Sequence, residues 1–156
     1  MKKSMIVLLA IATIGLVAQN SHALGETGVT AYGTYWDGEE VGHGVGVKLS
    51  QSLLDILYLD GRAGYVNFDT VDSDMVPLEV TLNLGFPGLI SPYVGIGAGY
   101  YYIDSPYLTD KVGCIGQIGI ELSIVKVGVM AELRYHDLEG TELDDLSANI
   151  GILFRF

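Results

Sequence analysis

The most constraining feature of this chain is an alternation of apolar with small or polar residues that returns in segment after segment, with almost no helical periodicity after Leu24. It is cleanest over residues 76–86, where Val76, Leu78, Val80, Leu82, Leu84 and Phe86 share one parity and Pro77, Glu79, Thr81, Asn83 and Gly85 the other. Successive side chains of a strand point to opposite faces, so such a segment reads as a two-faced strand. The same pattern occupies residues 41–50, 57–67, 93–103, 112–122, 125–136 and 146–156. Residues 28–36 make an eighth segment whose faces stay open: either Tyr32, Thr34 and Trp36 or Ala31, Gly33 and Tyr35 form the apolar set.

About 10 residues is the length a tilted strand needs to cross a bilayer, and an even antiparallel set can close without leaving an unpaired edge. Alternation alone does not say which face is inside, since a soluble barrel alternates too, with its apolar face inward. The polar parity decides. A soluble exterior is dense in Lys and Glu, whereas this face is rich in Gly, as suits a narrow lumen that side chains just fill. Its few charges nearly balance: Lys48, Arg62, Lys126, Arg134 and Arg155 against Asp60, Glu79, Glu121 and Glu132. Burial in a low dielectric demands such pairing. The expected fold is therefore all-β, an eight-stranded antiparallel up-and-down transmembrane β-barrel over residues 24–156, its apolar face toward lipid and this charge network in its lumen.

The N-terminus reads as a secretory signal over residues 1–23: Lys2 and Lys3, an apolar run from Met5 to Val17, then Ser21-His22-Ala23 as a small-x-small cleavage site. With 156 residues there is room for one domain after it. The single Cys excludes a disulfide framework and a cysteine-rich zinc site, and the net charge of -11 argues against nucleic acid as a partner. If the first strand runs outward, Tyr65, Tyr100, Tyr102 and Tyr135 fall at outer strand ends and Phe86, Phe154 and Phe156 at inner ends, forming two aromatic belts. The connections split the same way. Inner ones are short, with Pro87-Gly88 a turn pair, while the outer ones hold 13 of the 19 acidic residues and only Lys111 against them.

At the C-terminus, Asn149, Gly151, Phe154 and Phe156 form polar-x-Gly-x-x-aromatic-x-aromatic, similar to the terminal signal by which outer-membrane barrels are recognised for assembly. With the leader, the strand count and the run Pro92 to Tyr100, the whole mature chain resembles the small eight-stranded outer-membrane barrel family that includes the OmpA membrane domain and OmpX. That resemblance implies a Gram-negative outer membrane, contact with its lipid and lipopolysaccharide, and dependence on the barrel-assembly machinery. The outer loops are short for an adhesin, and no cell-wall-binding domain is expected after Phe156.

Chemistry-bearing residues are sparse. His136 shares the lumenal parity with Arg134 and Glu132 and reads as a hydrogen-bonding lumen residue; His43 lies on the apolar face near the outer interface. Lipid A deacylases, the enzymes nearest in size, place a Ser two residues after their His, where this chain has Leu138, so no enzyme is expected. The acidic run from Asp137 to Asp145 lacks EF-hand spacing and reads as a solvated loop that attracts divalent cations diffusely. The glycine runs 42–46 and 95–99 lack the spacing and following helix of nucleotide sites, and Cys114 falls on the lipid face. No cofactor or metal is expected. The expected function is that of a structural outer-membrane barrel with a filled lumen and short acidic loops, serving envelope integrity or surface interactions; the alternative is a narrow channel for small solutes or ions. The sequence names no extracellular partner.

Overall fold

The computed structural model describes residues 26–38, 41–68, 73–104, 109–138 and 145–156. The expected leader, residues 1–23, and the acidic residues Glu39, Glu40, Asp69, Asp72, Glu139, Glu142 and Asp144 lie outside the described residues.

Eight strands follow one another: β1 (Thr27–Asp37), β2 (Val41–Leu54), β3 (Leu57–Phe68), β4 (Ser73–Gly85), β5 (Ile90–Asp104), β6 (Lys111–Ile124), β7 (Val127–Leu138) and β8 (Asp145–Arg155). Each pairs antiparallel with its sequence neighbours, and β1 pairs with β8, which closes the barrel. Every strand is thus hydrogen-bonded on both sides, the condition for backbone amides to lie in hydrocarbon. Three short turns, at Asp55–Ile56, 86–89 and Val125–Lys126, share one end of the barrel with both ends of the described chain; the other connections form the opposite, loop end.

The barrel is apolar outside and polar inside. Val45, Ile96 and Ile150 are at least 65% exposed, whereas Lys48, Asp60 and His136 are wholly buried. In β1 it is Thr30, Tyr32 and Trp36 that are buried in the lumen, while Ala31, Gly33 and Tyr35 face out. Tyr35, Tyr65, Tyr100, Tyr102 and Tyr135 stand exposed toward the loop end, and Phe86, Phe154 and Phe156 at the turn end. Two tyrosines explain part of the glycine content. Tyr32 lies directly opposite Gly46, and Tyr93 opposite Gly119; a Cβ on either glycine would intrude on the facing ring. At these two places a bulky ring on one strand faces a residue with no side chain on the next.

The turn at Val125–Lys126 carries a backbone feature of its own. Val125 has φ 60°, the only positive φ at a non-glycine position among the described residues. That is the backbone of the first central residue of a type II′ hairpin turn, a place glycine ordinarily fills. It also corrects the expected strand over 125–136, since β7 begins at Val127.

Candidate functional site

Eight of the nine charged residues expected in the lumen are there, and Lys126 is not. Lys126 sits exposed in the β6–β7 turn, because the apolar alternation through Ile124, Val125 and Val127 runs across a bend with no Gly, Pro, Asn or Asp to mark it. Its removal makes the balance even: Lys48, Arg62, Arg134 and Arg155 against Asp60, Glu79, Glu121 and Glu132.

These eight form one continuous chain along the barrel axis. At the turn end, Arg155 Nη2 lies 2.6 Å from Glu121 Oε2, and the other oxygen of Glu121 accepts from Lys48 Nζ at 3.2 Å. Lys48 Nζ is 3.7 Å from Asp60 Oδ2, which in turn is 3.3 Å from Arg62 Nη2. Arg62 grips Glu132 with both terminal nitrogens, Nη2 donating to Oε2 at 2.6 Å and Nη1 to Oε1. Such a bidentate pairing fixes the planes of both groups. Above it, Arg134 Nε stands 3.6 Å from Glu132 Oε1, while its Nη1 donates to Glu79 Oε2 at 2.5 Å. In a closed barrel of eight strands, members four apart face each other across the bore. Lys48 to Glu121 joins β2 to β6, and Arg62 to Glu132 joins β3 to β7, so two ion pairs span the diameter.

Neutral donors complete the shell of Glu132. Tyr93 donates its hydroxyl to Glu132 Oε2 at 2.5 Å, and Asn149 Nδ2 donates to Oε1 at 3.2 Å. Arg134 Nε also donates to Gln117 Oε1 at 3.1 Å, and Gln117 Nε2 donates to Asn83. Buried charges need this many partners, since their lost hydration is worth several kcal/mol per ion.

Above the charges the alternation did not foresee an apolar stopper. Trp36, Val66, Met75, Tyr101 and Leu138 cluster on the lumenal side at the loop end, with Phe68 and Ile103 packed against them. Between stopper and charges lies His136, stacked on Trp36 with ring centroids 4.2 Å apart. Its Nδ1 is 2.9 Å from the Tyr101 hydroxyl and its Nε2 is 2.9 Å from Ser147 Oγ. Tyr101 donates to Glu79 Oε1 at 3.1 Å, which links this group to the chain of charges. Ser147, His136 and Glu79 thus stand in the order of a nucleophile, base and acid, the partner for His136 coming from β8 rather than from position 138. The order does not make a site. All three are buried, the Trp36 ring covers the imidazole, and the void beside Ser147 is about 10 Å³, which is water-sized.

At the turn end lies a vestibule of about 120 Å³, bounded by Ser50, Tyr58, Phe86, Leu153, Glu121 and Arg155. No trio of His, Cys, Asp or Glu is disposed to hold a metal among the described residues. The C-terminal motif divides between the faces: Asn149 bonds Glu132 inside, Gly151 leaves room beside Tyr32, and Phe154 and Phe156 face outward. His43 is exposed on the outer face beside Tyr35, with ring centroids 5.3 Å apart, and Cys114 is exposed on that face too.

No protein-family model matches the chain, and no curated protein matches it in sequence. Solved structures do match. Neisserial surface protein A superposes with a TM-score of 0.68 at 12% identity, covering 84% of this chain and 96% of that one. The outer membrane protein OprG of Pseudomonas aeruginosa gives 0.67 at 14% identity, over 87% of this chain and 98% of its own. Ail, the attachment invasion locus protein of Yersinia pestis, gives 0.63 at 17% identity, over 85% and 99%. With its apolar exterior, closed sheet and polar lumen, the chain has the fold of the small eight-stranded outer-membrane β-barrels.

Proposed function

We propose that this protein is a structural barrel of a Gram-negative outer membrane, without enzymatic activity, that contributes to envelope integrity or surface interactions. The observation that carries this reading is the filled bore. Two ion pairs cross its diameter, the eight charges cancel, and an apolar stopper closes the loop end. A conducting path needs mobile water and sites that release an ion, whereas each lumenal charge here is held by a partner of opposite sign. The His136 group favours the same reading, because it ties Trp36 and Tyr101 of the stopper to Glu79 of the charge chain.

The outer-membrane setting is supported by the exposed apolar band and its aromatic belts. With β1 running outward, the acidic loop end faces the exterior, where it meets lipopolysaccharide and its bridging divalent cations. In this reading Phe154 and Phe156, exposed at the end of β8, are offered to the barrel-assembly machinery, and the leader is removed after residue 23. Planar-bilayer recording tests the filled bore. The purified barrel is expected to give no unitary currents, and steady openings in the unmodified protein would establish the channel instead.

A further inference from the structure

The vestibule at the turn end holds oxygens that the ion chain leaves over. Ser50, on the lumenal parity of β2, has an Oγ buried without a hydrogen-bond partner, and Tyr58 of β3 carries a hydroxyl with no partner among the described residues. Opposite Ser50 in register stands Asp60, whose Oδ2 meets Lys48 and Arg62 while its buried Oδ1 has no partner. Unpartnered oxygens gathered at one place call for a donor. The rest of the wall says which kind. Glu26, Asp55 and Glu121 line it against Arg155 alone, and the pair behind them, Lys48 with Asp60, leaves that excess of negative charge unchanged. Arg155 is committed to Glu121 at 2.6 Å and stands 3.9 Å from Glu26. Asp55, exposed in the β2–β3 turn, has no ion partner among the described residues. Phe86, Pro87 and Leu153 make an apolar side, and the volume of about 120 Å³ is about ten times what one water needs.

We propose that this vestibule binds a small aliphatic diamine in its doubly protonated form. One ammonium donates to Ser50 Oγ and the Tyr58 hydroxyl, the methylene stem lies along Phe86 and Leu153, and the second ammonium pairs with Asp55 at the rim. An alkylammonium has three donors and no acceptor, which suits a wall whose free groups are oxygens. The surplus of carboxylates repels an anion. A hard divalent cation needs several carboxylate oxygens around one point, and no such trio exists among the described residues. With β1 running outward the vestibule opens to the periplasm, but the site itself requires only the closed barrel.

The test titrates the purified, isotope-labelled protein in detergent micelles with diaminobutane, butylamine, butanediol and succinate, following backbone amide shifts in about 0.15 M salt, where diffuse attraction to a charged chain is screened. Diaminobutane is expected to saturate one site with shifts centred on Ser50, Tyr58 and Asp55, butylamine to bind there several-fold more weakly, and butanediol and succinate not to bind. Tyr58→Phe and Ser50→Ala should each weaken both amines about tenfold, the worth of one hydrogen bond from a charged donor. Asp55→Asn should weaken diaminobutane several-fold and leave butylamine unchanged, because only the second ammonium reaches the rim. Asp110→Asn, an acid of the opposite end, should change neither. The dispersion of each spectrum shows that the variant is folded, and Asp55→Asn, a turn change, reads out the rim contact if a lumenal variant fails to fold. Absence of saturable diamine binding overturns the proposal, as does binding unaffected by Tyr58→Phe and Ser50→Ala, or weakened equally by Asp110→Asn. Unitary currents in the bilayer recording would overturn the filled bore without touching this site, which the titration alone decides.

Discussion

Glu132 is the most connected anion of the lumen, and removing it tests the filled bore directly. Its carboxylate takes both terminal nitrogens of Arg62, the hydroxyl of Tyr93 and the amide of Asn149. Glu132→Ala leaves Arg62 with Asp60 as its remaining carboxylate, at 3.3 Å and already shared with Lys48. Breaking a buried pair by deleting one partner destabilises by about 3–5 kcal/mol. With an m-value of about 2 kcal/mol/M, the midpoint of urea unfolding should fall by about 2 M. The measurement is unfolding from lipid vesicles followed by the fluorescence of Trp36, the sole tryptophan, which reports from the lumen. Replacing both partners, Arg62→Met with Glu132→Met, should recover most of the loss, because a well-packed apolar pair offsets the missing ions. A loss below about 1 kcal/mol for Glu132→Ala, the range of an exposed pair, accompanied by unitary current, would refute the filled lumen.

Three further outcomes follow from the same geometry. Lys126→Ala should change stability by less than about 0.5 kcal/mol, as a surface site outside the network does, and a loss comparable to that of Glu132→Ala would put Lys126 back among the lumenal charges. Val125→Gly should stabilise the barrel by about 0.5–1 kcal/mol, the relief of a left-handed backbone less the extra chain entropy of glycine; a destabilised variant in the same urea titration contradicts it. Phe156→Ser should lower the amount of barrel in the membrane much more than its refolding in detergent, because the side chain is exposed and packs in no core; equal membrane levels would remove it from the assembly signal.

The parity of every strand but β1 was legible from the sequence because the solvent is inverted: a lipid-facing side chain must be apolar, and a departure from that is conspicuous; in β1 both faces carry aromatic and small residues, so neither departs. Lys126 was misplaced for the converse reason. In the segment Ile124-Val125-Lys126-Val127 the turn is made by a valine in a conformation valine avoids, so the pattern passes through it unbroken. Residues such as Met75, Ile115, Met130 and Leu153, which are buried on the polar parity, give no signal in a pattern that expects polarity there. Nor did the sequence tell which charge meets which, since Lys48 and Glu121 are 73 positions apart and meet only when the bore has closed. The contact of His136 with Ser147 was nearer to reach. Both lie on the lumenal parity of adjacent strands, and Ser147 is diagonal to His136 once Arg134 is known to pair with it.

The ion pairs that cross the bore also solve a problem that alternation leaves unsolved. A strand that slips by one residue turns its apolar face inward and is rejected at once. A slip of two keeps every apolar residue against lipid and every polar one inside, so the membrane cannot detect it. The charges can, because sliding β3 by two residues carries Arg62 about 7 Å along its strand, beyond reach of Glu132 on β7. The pairing of β3 with β7 therefore acts as a vernier, reading the alignment of strands that never touch and separating the native stagger from the neighbouring ones that hydrophobicity counts as equal.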